Sequence, residues 1–268
     1  RFKTALYATL PIVGKILEGD IYIKGFGDPN LVSEQMWLLA NELKNSPLKK
    51  VRGNIIADAS FFDSNRRVKT WNKKAGVEAY NAPLGALSFN FNTVAVHVTP
   101  GEKKGGRPIV VVDPDIEFIR VDNRARTASK PKYGRLIVNR VDRGDHNVIT
   151  VSGTMPVNSR RETYYLNITQ PTHYAAMVFK EYLLQSGVEV MGKVRVGSVP
   201  EGAYELFSHE SIPLSLILRG LNKFSNNFVA EQILKTIAAE IYGEPGTTLN
   251  GLRAMDEYMQ SLQYKAEE

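Results

Sequence analysis

The sequence predicts a multidomain α+β protein, and three observations carry that prediction. Residues 20–58 read as strand, helix, strand; residues from about 84 to 198 read as short alternating strands; residues from about 211 to 263 read as helix throughout. Three compositional regimes in a chain of 268 residues suggest three structural units, the last without strands of its own.

Phe2–Tyr7 is strand-like, and Asp20–Lys24 alternates apolar with polar side chains before the Gly25–Pro29 turn. Val32, Met36, Leu39 and Leu43 fall on one face of a helix that Asn45-Ser46-Pro47 ends, and Val51–Ala57 is the next strand. Strands joined by such a connection suit a right-handed βαβ unit. The Gly25-x-Gly27 turn sits where a dinucleotide-binding loop would, but Asn30 replaces the third glycine and Asp58 is a loose match for a ribose-binding carboxylate. A tight turn with Asp28-Pro29 is the better reading.

The clearest strands of the second regime are Ala86–Thr99, Ile109–Val112, Arg135–Val141, Asn147–Ser152 and Val188–Val196, with one helix at Tyr174–Gln185. Residues 114–132 are polar and basic and read as a loop; Asn167-Ile-Thr169 fits a glycosylation sequon. In the third regime two apolar helical segments are joined by a polar break, Ser225-Asn226-Asn227. After it Val229, Ile233, Ile237 and Ile241 recur every four residues and define a buried face. Gly243-Glu-Pro-Gly246 breaks the helix, and Thr247 or Thr248 caps the last one, Leu249–Leu262. The hydroxyl and two carboxamides at 225–227 suit a polar substrate and are equally ordinary capping residues.

Composition narrows the function classes. No run approaches the roughly eighteen apolar residues that span a bilayer. Zero Cys excludes disulfides, thiolate metal ligands and a thiol nucleophile, and His97, His146, His173 and His209 lack metal-site spacing, so no cofactor is expected. Residues 49–143 hold 19 Lys and Arg against 9 Asp and Glu. Such a basic region could hold an anionic polymer, but without interleaved aromatics it does not resemble a nucleic-acid binder, and its paired cations (Lys49-Lys50, Arg66-Arg67, Lys73-Lys74, Lys103-Lys104) suit solvated loops.

Ser-x-x-Leu at 215–218, Asn222-Lys-x-Ser-x-Asn227 and Ala230-Glu-Gln-Ile-Leu234 resemble the second active-site motif and its surroundings in serine penicillin-binding proteins. The resemblance is to the low-molecular-mass D-alanyl-D-alanine carboxypeptidase/endopeptidase family, in which two inserted domains interrupt the catalytic domain. Gly25-Phe-Gly-Asp-Pro-Asn-Leu31, Ile55-Ile-Ala-Asp-Ala-Ser-Phe-Phe-Asp63 and Tyr80-Asn-Ala-Pro-Leu-Gly-Ala-Leu-Ser-Phe-Asn-Phe-Asn92 resemble the same family in the same order, so the likeness spans almost the whole chain.

That family uses Ser-x-x-Lys, Ser-x-Asn and Lys-Thr-Gly. A serine hydroxyl needs a nearby base to become a nucleophile, and a Lys one helical turn away lies on the same face. Ser46-Pro-Leu-Lys49 and Ser129-Lys-Pro-Lys132 match the first pattern literally, but each contains proline and neither opens a buried helix. Lys235-Thr236-Ile237 lies inside an amphipathic helix and lacks the glycine. The resemblance therefore implies that the nucleophile lies shortly before Arg1 and the Lys-Thr-Gly strand beyond Glu268.

It also implies that Ser225 and Asn227 are catalytic, Ser225 relaying a proton and Asn227 holding substrate, with Asn226 in the free middle position and Lys223 near the same cleft. The fold implied is the helical part of a transpeptidase/β-lactamase-like domain (205–268), a small βαβ-containing insert (24–80) and a β-rich insert (1–23 with 81–204). The implied substrates are peptidoglycan stem peptides, the implied inhibitors β-lactams, and the setting periplasmic or extracytoplasmic, with a signal peptide upstream. The expectation for these 268 residues alone is inactivity, with an exposed apolar surface on the helices bearing Val229 and Ile233. The alternative is a non-catalytic binding module that grips an anionic polymer with residues 49–143.

Overall fold

The computed structural model of the chain describes residues 1–68, 76–129 and 135–262. The fold is mixed α+β and groups into two compact units. One comprises Arg1–Lys73, Pro83–Phe91 and Gln170–Glu268; the other comprises Lys74–Ala82 and Asn92–Thr169.

The larger unit opens with β1 (Lys3–Ala8), the short β2 (Ile12–Val13) and β3 (Ile16–Leu17), β4 (Ile21–Gly25), helix α1 (Ser33–Asn45), β5 (Lys50–Val51) and β6 (Ile55–Asp58). The smaller unit carries β7 (Thr93–Thr99), β8 (Ile109–Asp113), β9 (Ile119–Asn123), β10 (Arg126–Ala128), β11 (Ile137–Asp142), β12 (Asn147–Ser152), β13 (Thr154–Pro156) and β14 (Glu162–Asn167). The chain then returns to the larger unit with α2 (Pro171–Gln185), β15 (Glu189–Val190), β16 (Val194–Val196), β17 (Tyr204–Glu210), α3 (Leu214–Phe224), α4 (Asn227–Tyr242) and α5 (Thr248–Ser261).

A five-stranded sheet, ordered β16-β6-β4-β1-β17, organises the larger unit. β4 pairs parallel to β6 with α1 as the connection, the strand–helix–strand arrangement expected at 20–58. The alternation in β4 buries Ile21 and Ile23, and α1 buries Met36, Leu39, Ala40 and Leu43. α1 packs on α2, and α2 packs on β6 and β16. Tyr174 of α2 is fully buried, edge-on to Phe89 at 5.8 Å between ring centroids.

Four details differ from the sequence expectations. The strand placed at Ala86–Thr99 begins only at Thr93, because Asn90, Phe91 and Asn92 take φ of 45°, 54° and 54°. The left-handed turn is used locally: Asn90 accepts the Ser33 N–H at 3.1 Å and donates to Ser33 Oγ at 3.0 Å, capping α1. The runs Val51–Ala57 and Val188–Val196 are each two strands in different sheets, β5 and β6 in the first and β15 and β16 in the second. Residues 114–128, read as loop, contain β9 and β10, where Arg120 and Arg126 are exposed while Ile119 and Thr127 are buried; residues 130–132 lie outside the described residues. Residues from 205 are not all helical either, since β17 pairs antiparallel with β1 along the sheet edge.

That sheet draws strands from all three segments read from the sequence, 24–80, 1–23 with 81–204, and 205–268, while the packing groups the chain in two. The three-part division stands as a proposal about how the domains are inserted. In the smaller unit Asn167 is fully buried: its amide donates to the carbonyls of Gly76 and Glu78 at 2.9 Å and accepts from Arg140 at 2.8 Å. Its sequon geometry is therefore structural, with no room for a sugar.

α4 is the hub of the larger unit. Lys235, 1% exposed, donates to Asp63 Oδ1 at 2.5 Å and to the Asn65 carbonyl at 2.7 Å. Its ammonium also stands 5.8 Å from the centre of the Phe62 ring. Removing one partner of such a pair strands a buried charge. Lys235→Ala or Asp63→Ala is expected to cost about 3–5 kcal/mol in urea unfolding. The double replacement Lys235→Met with Asp63→Leu should lose clearly less than the two single costs added.

Candidate functional site

Residues 225–227 form the joint between α3 and α4. Ser225 closes α3 in the left-handed region, at φ 50° and ψ 48°. A non-glycine residue there costs roughly 1–2 kcal/mol, and such positions concentrate at functional sites. Asn226 is the N-cap of α4, its Oδ1 accepting the Val229 N–H at 3.3 Å. Asn227 is the first residue of α4.

Ser225 and Asn227 are both exposed, and neither side chain hydrogen-bonds to another described residue. The joint thus divides its labour: the middle residue caps the helix, and the flanking hydroxyl and carboxamide are left to solvent. Lys223, in the last turn of α3, is exposed with its ammonium 5.3 Å from the centre of the Phe224 ring.

The stretches that carry the family resemblance converge on α4. The Phe91 ring packs edge-to-face on Phe228 at 6.1 Å, one residue beyond Asn227. One turn on, Gln232 is fully buried and donates to the Gly85 carbonyl at 2.9 Å and to Ser88 Oγ at 3.1 Å. Lys235 takes the loop at 61–65 through Asp63 and Asn65. Gly27 comes so close that a Cβ there would stand 2.5 Å from Thr236 Oγ1 and 2.6 Å from the Phe62 ring, and its φ of 79° excludes most side chains anyway. The Gly25-Phe-Gly turn therefore serves packing.

The buried face of α4 is not the four-residue apolar repeat. Phe228, Val229, Gln232, Lys235, Ala238 and Ala239 are buried, whereas Ile233 and Ile237 are half-buried and Ile241 is 58% exposed. A strict repeat of four drifts about 40° around the helix at each step, so Ile241 has left the face that Val229 occupies. Lys235 and Gln232 escaped the sequence reading because apolar periodicity does not register polar residues. Their spacing from Phe228 and Ala239 was the available signal. Beyond Ile241, exposed apolar surface lies on α3 and α5, where Leu216, Phe224, Leu249, Leu252 and Tyr258 are all at least 50% exposed.

The two literal Ser-x-x-Lys matches differ in context from a catalytic pair. Ser46 is the C-cap of α1 and donates to the Leu43 carbonyl at 2.6 Å, so the chain leaves the helix before Lys49. Of Ser129–Lys132, only Ser129 lies within the described residues. The basic stretch 49–143 runs through both units, and Lys50, Arg52 and Arg124 are paired with Glu189, Glu18 and Asp122.

Asp28, in the first of the resembling stretches, is 2% exposed. Its Oδ1 accepts the Asn30 N–H at 2.8 Å, while Oδ2 has no partner among the described residues. Burial outweighs that hydrogen bond and pushes the carboxyl up to about 6.

The fold follows that of penicillin binding protein 4 (dacB) from Haemophilus influenzae, with a TM-score of 0.83 at 24% identity over 98% of this chain and 58% of that one. The same Haemophilus protein complexed with a novel beta-lactam matches with a TM-score of 0.75 over 98% of this chain and 56% of that one. Both likenesses run over nearly the whole chain and show a shared fold. By sequence, residues 1–266 match the D-Ala-D-Ala carboxypeptidase 3 (S13) family, and the chain belongs to it. The D-alanyl-D-alanine carboxypeptidase of Actinomadura sp. (strain R39) is 34% identical over 91% of this chain and 46% of its own length. The D-alanyl-D-alanine carboxypeptidase DacB of H. influenzae is 26% identical over 97% and 54%. The chain spans about half the length of these curated relatives.

Two outcomes follow from the joint and from Asp28. Ser225→Gly should raise stability by about 1 kcal/mol by relieving the left-handed strain, while Asn226→Ala should lower it by about 1 kcal/mol, both read from denaturant midpoints. Because Asp28 holds its proton to a higher pH folded than unfolded, its contribution is present below about pH 4 and is lost as pH rises to about 6. Melting temperatures measured from pH 4 to 7 should therefore decline less with rising pH in Asp28→Asn than in the parent.

Proposed function

We propose that the whole protein is a serine-type D-Ala-D-Ala carboxypeptidase or endopeptidase that processes peptidoglycan stem peptides through an acyl-enzyme. Ser225 and Asn227 supply the second of its three motifs. In this reading the nucleophilic serine oxygen forms an ester with the penultimate D-Ala carbonyl, and the amide C–N bond breaks. Ser225 passes a proton to the leaving amine, Asn227 holds the substrate's amide, and water then cleaves the ester. β-Lactams acylate the same serine. The substrate places the enzyme outside the cytoplasmic membrane, in a periplasmic or extracytoplasmic setting.

The observation that carries this reading is the strained joint that leaves the Ser225 hydroxyl and the Asn227 carboxamide exposed and unpartnered on either side of a capping residue. A joint built for capping alone would be better served by glycine at 225. The nucleophile with its Lys and the Lys-Thr-Gly strand come, in this reading, from outside residues 1–268, so these residues alone hydrolyse nothing. The apolar side chains exposed on α3 and α5 support it, being what a helical half of a domain presents before its other half packs on it.

Mass spectrometry with labelled penicillin tests the proposal. The full-length protein should gain one covalent adduct, the 268-residue chain none, and full-length Ser225→Ala should acylate at least about a hundredfold more slowly. An adduct on the 268-residue chain, or acylation unchanged by Ser225→Ala, would sink it.

A further inference from the structure

Beside the loop that follows β6 lies an open pocket of about 250 Å³, with Ser64 and Arg66 exposed on its rim, in which neither Ser225 nor Asn227 takes part. Arg66 lines it, and its guanidinium pairs with no carboxylate among the described residues. Ser60, Ser64 and Ser198 add hydroxyls, and Thr172 adds another from the second residue of α2. Thr172 is only 3% exposed, yet its hydroxyl bonds to no described residue. Its Oγ1 opens on the pocket, where it is met by solvent or by a ligand's polar atom.

The charges around the pocket select what enters. Asp58 is spent: its two oxygens accept the N–H groups of Ser60 and Val199, each at 2.7 Å. Asp63 is held by Lys235. The remaining unpaired charge is Arg66, a planar fork suited to an oxyanion. α2, 15 residues long, begins at this wall with Pro171, and Gln170 before it provides no side-chain cap, so the positive end of the helix adds to the preference. Two carboxylates close by disfavour a dianion such as phosphate. Leu84, Ala86 and Val196 supply apolar wall for an aliphatic portion.

We propose that this pocket binds a small monocarboxylate of amino-acid to dipeptide size. The carboxylate sits on Arg66 and the start of α2, and the serine and threonine hydroxyls take the ligand's amide or amine groups. The site is separate from the Ser225–Asn227 joint and does not depend on its chemistry.

Calorimetric titration of the 268-residue chain with acetate, D-alanine, D-alanyl-D-alanine and inorganic phosphate tests it. The amino-acid and dipeptide carboxylates should bind more tightly than acetate, and phosphate most weakly. Arg66→Gln should weaken binding by at least about tenfold while leaving the unliganded melting temperature unchanged. Thr172→Val should weaken it severalfold. Ser225→Ala should leave it intact, so that failure of this site and failure of the proposed catalysis register separately. No binding at millimolar concentration, binding indifferent to Arg66→Gln, or phosphate binding more tightly than the carboxylates would each overturn the assignment.

Discussion

The ion pair between Lys235 and Asp63 ties α4 to the loop after β6, and much of the larger unit is arranged around that tie. Taking an ammonium group out of water is tolerable only when its new partners are fixed, here a carboxylate, a carbonyl and an aromatic face. Each partner comes from Phe62–Asn65, so the loop has little freedom once the lysine is buried. Gln232, one turn earlier, imposes the same discipline on Gly85–Ser88. Segments far apart in sequence are thereby set around one helix, which begins at Asn227, directly after the Ser225–Asn226 joint.

Stability and presentation pull against each other at that joint. The chain could end α3 more cheaply with glycine, and it carries serine in a left-handed conformation instead. The packing beneath compensates: Phe228 and Val229 are buried directly after the exposed residues, and Phe91 is turned through its own left-handed segment to meet Phe228. A rigid base under a strained, solvent-facing pair preorganises polar groups without asking the groups themselves to be stable there.

How far the sequence was legible depends on how each element is held. β4 and α1 are legible because burial alone selects their residues and leaves an alternation or a helical stripe. β17 and β9 are not, since most of their side chains are exposed or half-exposed and their place comes from pairing with β1 and β12. The break at 225–227 is legible as a polar interruption, and Asn226 as a cap. The left-handed geometry of Ser225 is not, because nothing in a serine's identity announces it. The face of α4 was misassigned for a related reason: its polar anchors Lys235 and Gln232 bury as fully as any leucine, and hydrophobic patterning passes over them.

Asn226 occupies the middle of the Ser-x-Asn triplet, formally the position where any residue will do. Here its side chain holds the Val229 N–H and so fixes where α4 begins. A residue unable to cap would let the helix start elsewhere and swing the two residues beside it out of alignment. Substitution at 226 is therefore filtered by backbone geometry, and among sequences sharing this joint the variable letter should draw from a short alphabet of Asn, Asp, Ser, Thr and Gly.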